Sequence, residues 1–248
     1  MTGPVLILGG TAQARALADE AAGAGHDTIL SLAGRTSAPV PTRARARAGG
    51  FGGVDGLRAY LRAERISRVL DATHPFAARI SENARLACAA ENVPRLVLTR
   101  APWVEGPGDR WTRAADVAEA AAILPALGKR IFVAFADGLG HLANTGLEFV
   151  VRRIEPGDAG LPGAELVLGR GPFAPPDEIA LFRARRIDCV LAKDSGGEEA
   201  RAKLDAARAL GLPVVLIRRP DPPPGLFTAS RDEARAWLGL DAVTGPSV

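Results

Sequence analysis

The chain has 248 residues, of which 47% are hydrophobic, and a formal net charge of +3. That is enough apolar side chain for a real core in one large or two small domains, and it excludes a disordered or fibrous chain. No apolar run approaches a bilayer span and Met1-Thr2-Gly3-Pro4 lacks signal-peptide character, so a soluble, cytoplasmic protein without a membrane partner is expected.

Val5-Leu6-Ile7-Leu8 is a continuous apolar run, which predicts a buried strand over 5–9. Gly9-Gly10-Thr11-Ala12-Gln13-Ala14-Arg15 then passes into helical periodicity near 12–24. Glycines permit close backbone approach, and the amides that open a helix attract anions, so Gly9, Gly10, Thr11 and Ala12 are candidate phosphate contacts. The turn departs from G-x-G-x-x-G because Thr11 and Ala14 stand where glycines would, and an ordinary strand-to-helix turn fits it nearly as well.

Thr28 to Leu32 predicts the second strand, which runs into Ala33-Gly34-Arg35-Thr36-Ser37. An acid at this place would meet a free ribose 2′-hydroxyl, whereas a cation with hydroxyls suits a 2′-phosphate. Arg35, Thr36 and Ser37 therefore point to NADP rather than NAD; the bland alternative is a solvated arginine in a polar loop. Strands over 46–51, 66–71 and 95–99 and helices near 54–63 and 76–92 complete the first half.

Asp71-Ala72-Thr73-His74-Pro75-Phe76 joins the strand ending at Asp71 to the helix after it. Such turns at carboxyl ends of parallel strands line ligand crevices, which makes Thr73 and His74 site candidates and His74 a proton donor or a cofactor support. The plain reading is capping by Asp71 or Thr73, with Pro75 in the first turn.

Pro102, Gly106, Pro107 and Gly108 break the pattern and read as a linker between domains 1–108 and 109–248. Beyond it come a helix near 114–127, strands over 130–135, 147–153 and 164–169, a helix over 176–186, a strand over 188–192, a helix over 198–210, a strand over 213–217 and a final helix near 230–238. Pro220 to Gly225 reads as a turn-rich entry to the tail. The alternation predicts an α/β fold: two Rossmann-like lobes of parallel sheet flanked by helices, with an active-site cleft between them.

The second half has its own polar strand-to-helix turn, Lys193-Asp194-Ser195-Gly196-Gly197. Its glycines would let amides face a carboxylate and Lys193 would add charge, although Asp194 or Ser195 could instead cap the helix. Lys203, in that helix, either reaches back to the crevice or forms a surface ion pair. Only Lys129, Lys193 and Lys203 are lysines, so arginine dominates the 31 cations; its fork suits polyanionic small molecules. At 5% aromatic content no basic strand interleaved with aromatics exists to stack bases, so nucleic acid is not expected. Cys88 and Cys189 read as reduced core residues, and no metal-ligand spacing occurs.

The pieces G-G-T-A-Q-A-R (9–15), S-L-A-G-R-T (31–36), D-A-T-H-P-F-A-A-R-I-S-E-N-A (71–84), R-R-I-E-P (152–156), R-G-P-F (170–173), K-D-S-G-G (193–197) and A-K-L-D-A-A (202–207) run in order along nearly the whole chain. Together they resemble the precorrin-6A reductase family of cobalamin biosynthesis. The resemblance implies NADPH-dependent reduction of one macrocycle double bond of precorrin-6A, a polycarboxylate tetrapyrrole, to precorrin-6B, with transient contact to neighbouring pathway enzymes. It implies that Arg170, Lys193, Asp194, Ser195, Gly196 and Lys203 meet substrate, with His74 and Lys193 nearest the chemistry. Ala136-Asp137-Gly138 departs from the glycine followed by a basic residue expected there. Two other readings stay open. A different NADP-dependent oxidoreductase of the short-chain type would carry Tyr-x-x-x-Lys, but Tyr60 is followed at that offset by Glu64. A non-enzymatic NADP-binding regulator would not need the polar turn at Lys193.

Overall fold

The structure, a computed structural model, describes residues 3–34 and 41–240. In chain order the first hundred residues give β1 (Val5–Leu8), α1 (Ala12–Gly23), β2 (Thr28–Leu32), β3 (Arg45–Ala48), α2 (Gly53–Ala63), β4 (Arg68–Asp71), α3 (Ala78–Ala90) and β5 (Arg95–Leu98). Then follow β6 (Trp111–Ala114), α4 (Val117–Ile123), β7 (Arg130–Val133), β8 (Glu148–Arg153), β9 (Glu165–Leu168), α5 (Pro175–Ala184), β10 (Cys189–Lys193), α6 (Ala202–Leu210) and β11 (Val214–Ile217). The described residues end with β12 (Leu226–Thr228) and α7 (Arg231–Leu238).

The strands form two sheets of six, ordered β12-β5-β4-β1-β2-β3 and β6-β11-β10-β7-β8-β9. Every pairing is parallel. Both faces of a parallel sheet are covered by helices, which is why β1 reads as unbroken apolar sequence rather than as an alternation. Val5 and Ile7 pack with Leu17 of α1 and Leu238 of α7, whereas Leu6 and Leu8 pack on the other side with Leu57 of α2 and Ala84 of α3. In the second sheet Phe132, Val190 and Leu216 pack with Phe182 of α5 and Leu204 of α6.

The units divide differently from the expected boundary after residue 108. One comprises the residues up to Arg100 and those from Pro220 onward; the other is Ala101–Arg219. Two observations account for the difference. The expected linker is folded into the second unit: Trp103 is buried there, and the Asp109 carboxylate takes a bidentate contact from Arg208 at 2.9 and 2.8 Å. At the other end β12 returns to the first sheet, pairing Leu226 with Leu96 and Thr228 with Leu98, while α7 ties Arg231 and Arg235 to Glu20 of α1. A sequence of prolines before a three-residue strand hid this return.

Three further expectations are corrected. Trp111–Ala114 is a strand, and α4 starts only at Val117, because Asp116 caps it by accepting from the Glu119 N–H at 2.9 Å. The helix expected from Phe76 begins at Ala78. The helix expected over 198–210 is broken into a 3-10 turn at Glu198–Ala200 followed by α6.

Candidate active site

In each sheet the strand order reverses once, and ligands of open α/β sheets bind outside the carboxyl ends of strands at that reversal. In the first sheet it lies between β1 and β4. The turns that leave those two strands are Gly9-Gly10-Thr11 and Ala72-Thr73-His74, the two that the sequence singles out. They touch: the Thr11 hydroxyl donates to the Ala72 carbonyl at 3.1 Å and accepts from the Ala14 N–H at 3.1 Å, capping α1. Gly9 is buried at φ +146°, where a Cβ would lie 2.5 Å from the Ala72 oxygen. Gly10 is exposed, and a Cβ there meets nothing within 4 Å. Ala12, the first residue of α1, is exposed as well. The backbone at Gly10 thus opens onto space at a helix start, which fits the approach of a pyrophosphate.

The polar residues of the second turn are not used as caps. Ala77 stands at the start of α3 with no side-chain capping bond. Asp71, fully buried, instead accepts from the Thr73 N–H at 3.3 Å and hydroxyl at 2.8 Å, and that hydroxyl lies 3.0 Å from the Ser81 hydroxyl. Arg95 faces Asp71 at 3.6 Å and donates to the Pro224 carbonyl at 2.8 Å, so the segment leading into β12 is tied through one arginine to the His74 turn. His74 is exposed, and its Nδ1 accepts from the Phe76 N–H at 3.3 Å. That contact leaves Nε2 to carry the proton of the neutral ring.

Arg35 and Thr36 lie outside the described residues. Arg47, which sequence reading passed over, is a cation held beside β2 among the described residues: it donates to the Ser31 hydroxyl at 2.8 Å and sits 3.9 Å from the Phe51 ring centre. No period or motif marks it, since β3 is an exposed edge strand whose arginines read as solvated.

In the second sheet the reversal lies between β7 and β10. The turn after β10 is Lys193-Asp194-Ser195-Gly196-Gly197, with both glycines at positive φ. A Cβ on Gly196 would come 2.3 Å from the Ala101 oxygen, so the tight turn demands glycine. Lys193 is half-buried with Nζ 4.7 Å from the Phe135 ring centre. Asp194 is buried and occupied by the protein itself: it accepts from Trp103 N–H at 3.2 Å, Arg113 at 3.3 Å and Arg219 at 3.1 Å. Ser195 is also buried, its N–H donating to the Lys193 carbonyl at 2.7 Å. Neither residue caps the following turn. Arg113 and Arg219 are additions to the sequence-derived set; only the folded register of β6 and β11 beside β10 reveals them.

Lys203 is half-buried in α6, its Nζ donating to the Ala200 carbonyl and lying 4.9 Å from the Trp103 ring centre. Arg170 is exposed beside Glu155 at 3.8 Å. Cys88 and Cys189 are free and buried, and burial pushes their thiols up to about 11 and about 12, so neither is a nucleophile near neutral pH. Among the described residues no cluster of His, Cys, Asp or Glu could hold a metal ion, and no helix is long and apolar enough to cross a membrane.

The family model described as precorrin-6x reductase CbiJ/CobK matches residues 4–239. The precorrin-6A reductase of Rhodococcus erythropolis is 48% identical over 240 residues, covering 95% of this chain and 97% of its own. That of Rhodobacter capsulatus is 45% identical over 246 residues, with 97% of each chain covered. A solved structure titled CobK precorrin-6A reductase is similar with a TM-score of 0.91 at 43% identity, over 96% of both chains. With the two reversal-point turns in place and nearly the full length matched, the chain belongs to the precorrin-6x reductase family.

Proposed function

We propose that this protein reduces one double bond of precorrin-6A to give precorrin-6B in cobalamin biosynthesis, with NADPH as the electron donor. A reductase of this family draws on a nicotinamide cofactor; the choice of NADPH rests on Arg35 and Thr36 after β2. The reading is carried by one observation, the meeting of Gly9-Gly10-Thr11 with Ala72-Thr73-His74 at the reversal of the first sheet. Gly9, Gly10, Thr11 and Ala12 would hold the pyrophosphate, Arg35 and Thr36 the 2′-phosphate, and Thr73 with His74 the nicotinamide end.

The bound cofactor supplies a hydride to the macrocycle, and a proton completes the addition of two hydrogens. What the chain has to do is bind, orient and protonate. His74 holds its Nδ1 as an acceptor and so has Nε2 for a proton. The buried Asp71–Thr73–Ser81 chain fixes the turn that carries it. Lys193 brings positive charge for a substrate carboxylate, and Gly196 with Ser195 shapes the turn around it. Arg170, Lys203 and the Asp194 turn are the further substrate contacts of this reading.

The experiment is a titration of NADPH and NADH against the wild type and Arg35→Ala. NADPH should bind at least about tenfold more tightly to the wild type, and the variant should lose most of that margin, since a charge-assisted bond contributes about 1.5–3 kcal/mol. Equal affinities for the two cofactors in the wild type would overturn the assignment of NADPH.

A further inference from the structure

Asp71 closes β4 with a fully buried carboxylate, and the side chain of Arg95, which opens β5, is 6% exposed. Val69 pairs with Arg95 and Asp71 with Val97, so the two charged side chains share one face of the sheet, and the long arginine arm brings Nη1 to 3.6 Å from Oδ2. Burying opposite charges costs desolvation, and a pair that serves only as a clamp closes into direct hydrogen bonds, as Arg208 does on Asp109 at 2.9 and 2.8 Å. This pair does not close. Asp71 Oδ2 and Arg95 Nη1 are buried, and neither has a hydrogen-bond partner among the described residues; Arg95 gives Nη2 to the Pro224 carbonyl at 2.8 Å. The other oxygen of Asp71 serves the turn: Oδ1 accepts from the Thr73 N–H at 3.3 Å and from the Thr73 hydroxyl at 2.8 Å.

That arrangement fixes a proton. A carboxylate beside a guanidinium accepts and does not donate, so the Thr73 hydroxyl gives its single hydrogen to Asp71. Its 3.0 Å contact with the buried Ser81 hydroxyl must then run from Ser81 to Thr73. Thr73 Oγ1 is left with one lone pair and nothing to donate. The residue is half-buried, in the turn after β4 whose Ala72 carbonyl takes the Thr11 hydroxyl of the neighbouring turn. A ligand that reaches Thr73 Oγ1 has to bring the donor.

A nicotinamide head has one donor group, the N–H of its carboxamide. We propose that Asp71 and Arg95 are positioning residues that hold Thr73 Oγ1 as an acceptor for this N–H. The contact fixes the rotation of the ring and so the face it presents to the macrocycle. The inference rests on the nicotinamide cofactor and the role of Thr73 proposed above.

The test compares the binding of NADPH with that of its 3-acetylpyridine analogue, in which a methyl group replaces the carboxamide nitrogen and the carbonyl is kept. The wild type should bind NADPH about three- to tenfold more tightly, the scale of one neutral hydrogen bond. In Thr73→Val the two affinities should converge, whereas Thr73→Ser, which keeps the hydroxyl, should preserve the ratio. Asp71→Asn should also bring the ratio towards one, since an amide can donate to Thr73 and free its proton for the ligand. The same change combined with Arg95→Met does this without leaving an unpaired charge in the core. A general loss of stability lowers both affinities together, so their ratio reads the hydrogen bond and not the fold. Equal affinities in the wild type, or a ratio that survives Thr73→Val, would overturn the contact, and a ratio unchanged by both Asp71 substitutions would overturn the role of the buried pair. A wild type that binds neither compound would overturn the cofactor reading and this inference with it, whereas equal binding of the two overturns this inference alone.

Discussion

Gly9 and Gly10 are neighbours with opposite demands. Gly9 is held at positive φ against the Ala72 carbonyl, so a side chain there strikes backbone; Gly10 faces open space, so a side chain there strikes only what binds. Gly9→Ala should therefore destabilise the fold by about 2 kcal/mol or more, the scale of a strained backbone position plus a clash, whereas Gly10→Val should melt like the wild type and lose NADPH binding. Calorimetry with a cofactor titration separates the two, and a folded Gly10→Val that binds NADPH normally would place the phosphate elsewhere. The two catalytic candidates divide in the same manner. His74→Ala should lower turnover with both ligands still bound if Nε2 serves as the proton donor, and lower NADPH affinity if the ring only supports the nicotinamide. Lys193→Ala should weaken tetrapyrrole binding and spare NADPH. If neither substitution changes the reduction of precorrin-6A, the site is not built as proposed. These residues were legible because they sit at phase breaks, where an apolar strand gives way to a helix. Arg47, Arg95 and Arg113 were not, because an arginine on a strand carries no local pattern and its partner is a neighbour in space.

The segment from Pro102 to Asp109 belongs to the second unit rather than joining two units. Proline and glycine marked it as a linker, yet Asp109 fastens it to α6. The side chain is fully buried, and it takes contacts from Arg208, from the Gly106 N–H at 2.9 Å and, at 3.9 Å, from Arg201. Burial pushes this carboxyl up, but the arginines and the amide outweigh it and hold it below the usual carboxylate range. A depressed folded value contributes stability above the unfolded pKa of about 3.9, and the contribution is lost as pH falls through the folded value. Asp109→Asn should thus cost about 1–3 kcal/mol at neutral pH, and the gap to the wild type should narrow as pH drops below about 4. Urea unfolding of both proteins at neutral and acid pH reads this; a deficit unchanged at acid pH would count against an ionic role. Periodicity found most of the long elements within a residue or two. It missed β6 and β12, strands of four and three residues whose existence depends on a parallel neighbour to pair with.

At the scale of the molecule, two six-stranded parallel sheets each present a polar turn where strand order reverses, and alternating strands and helices made that architecture readable from the chain. The path of the chain was not readable. Among the described residues β12 and α7 go back to the first unit, so β12 extends the sheet that carries the proposed cofactor turn, and Arg95 joins Pro224 to it. Nothing in local sequence announces a contact between residues 95 and 224. If one chain moves a hydride from NADPH to precorrin-6A, as proposed, NADPH deuterated at the nicotinamide C4 position will reveal it. The purified protein should convert precorrin-6A to a product richer by two hydrogens, one of them deuterium when the transferred face is labelled. No reduction of precorrin-6A, or a reduced product free of deuterium from either labelled face, would contradict the account.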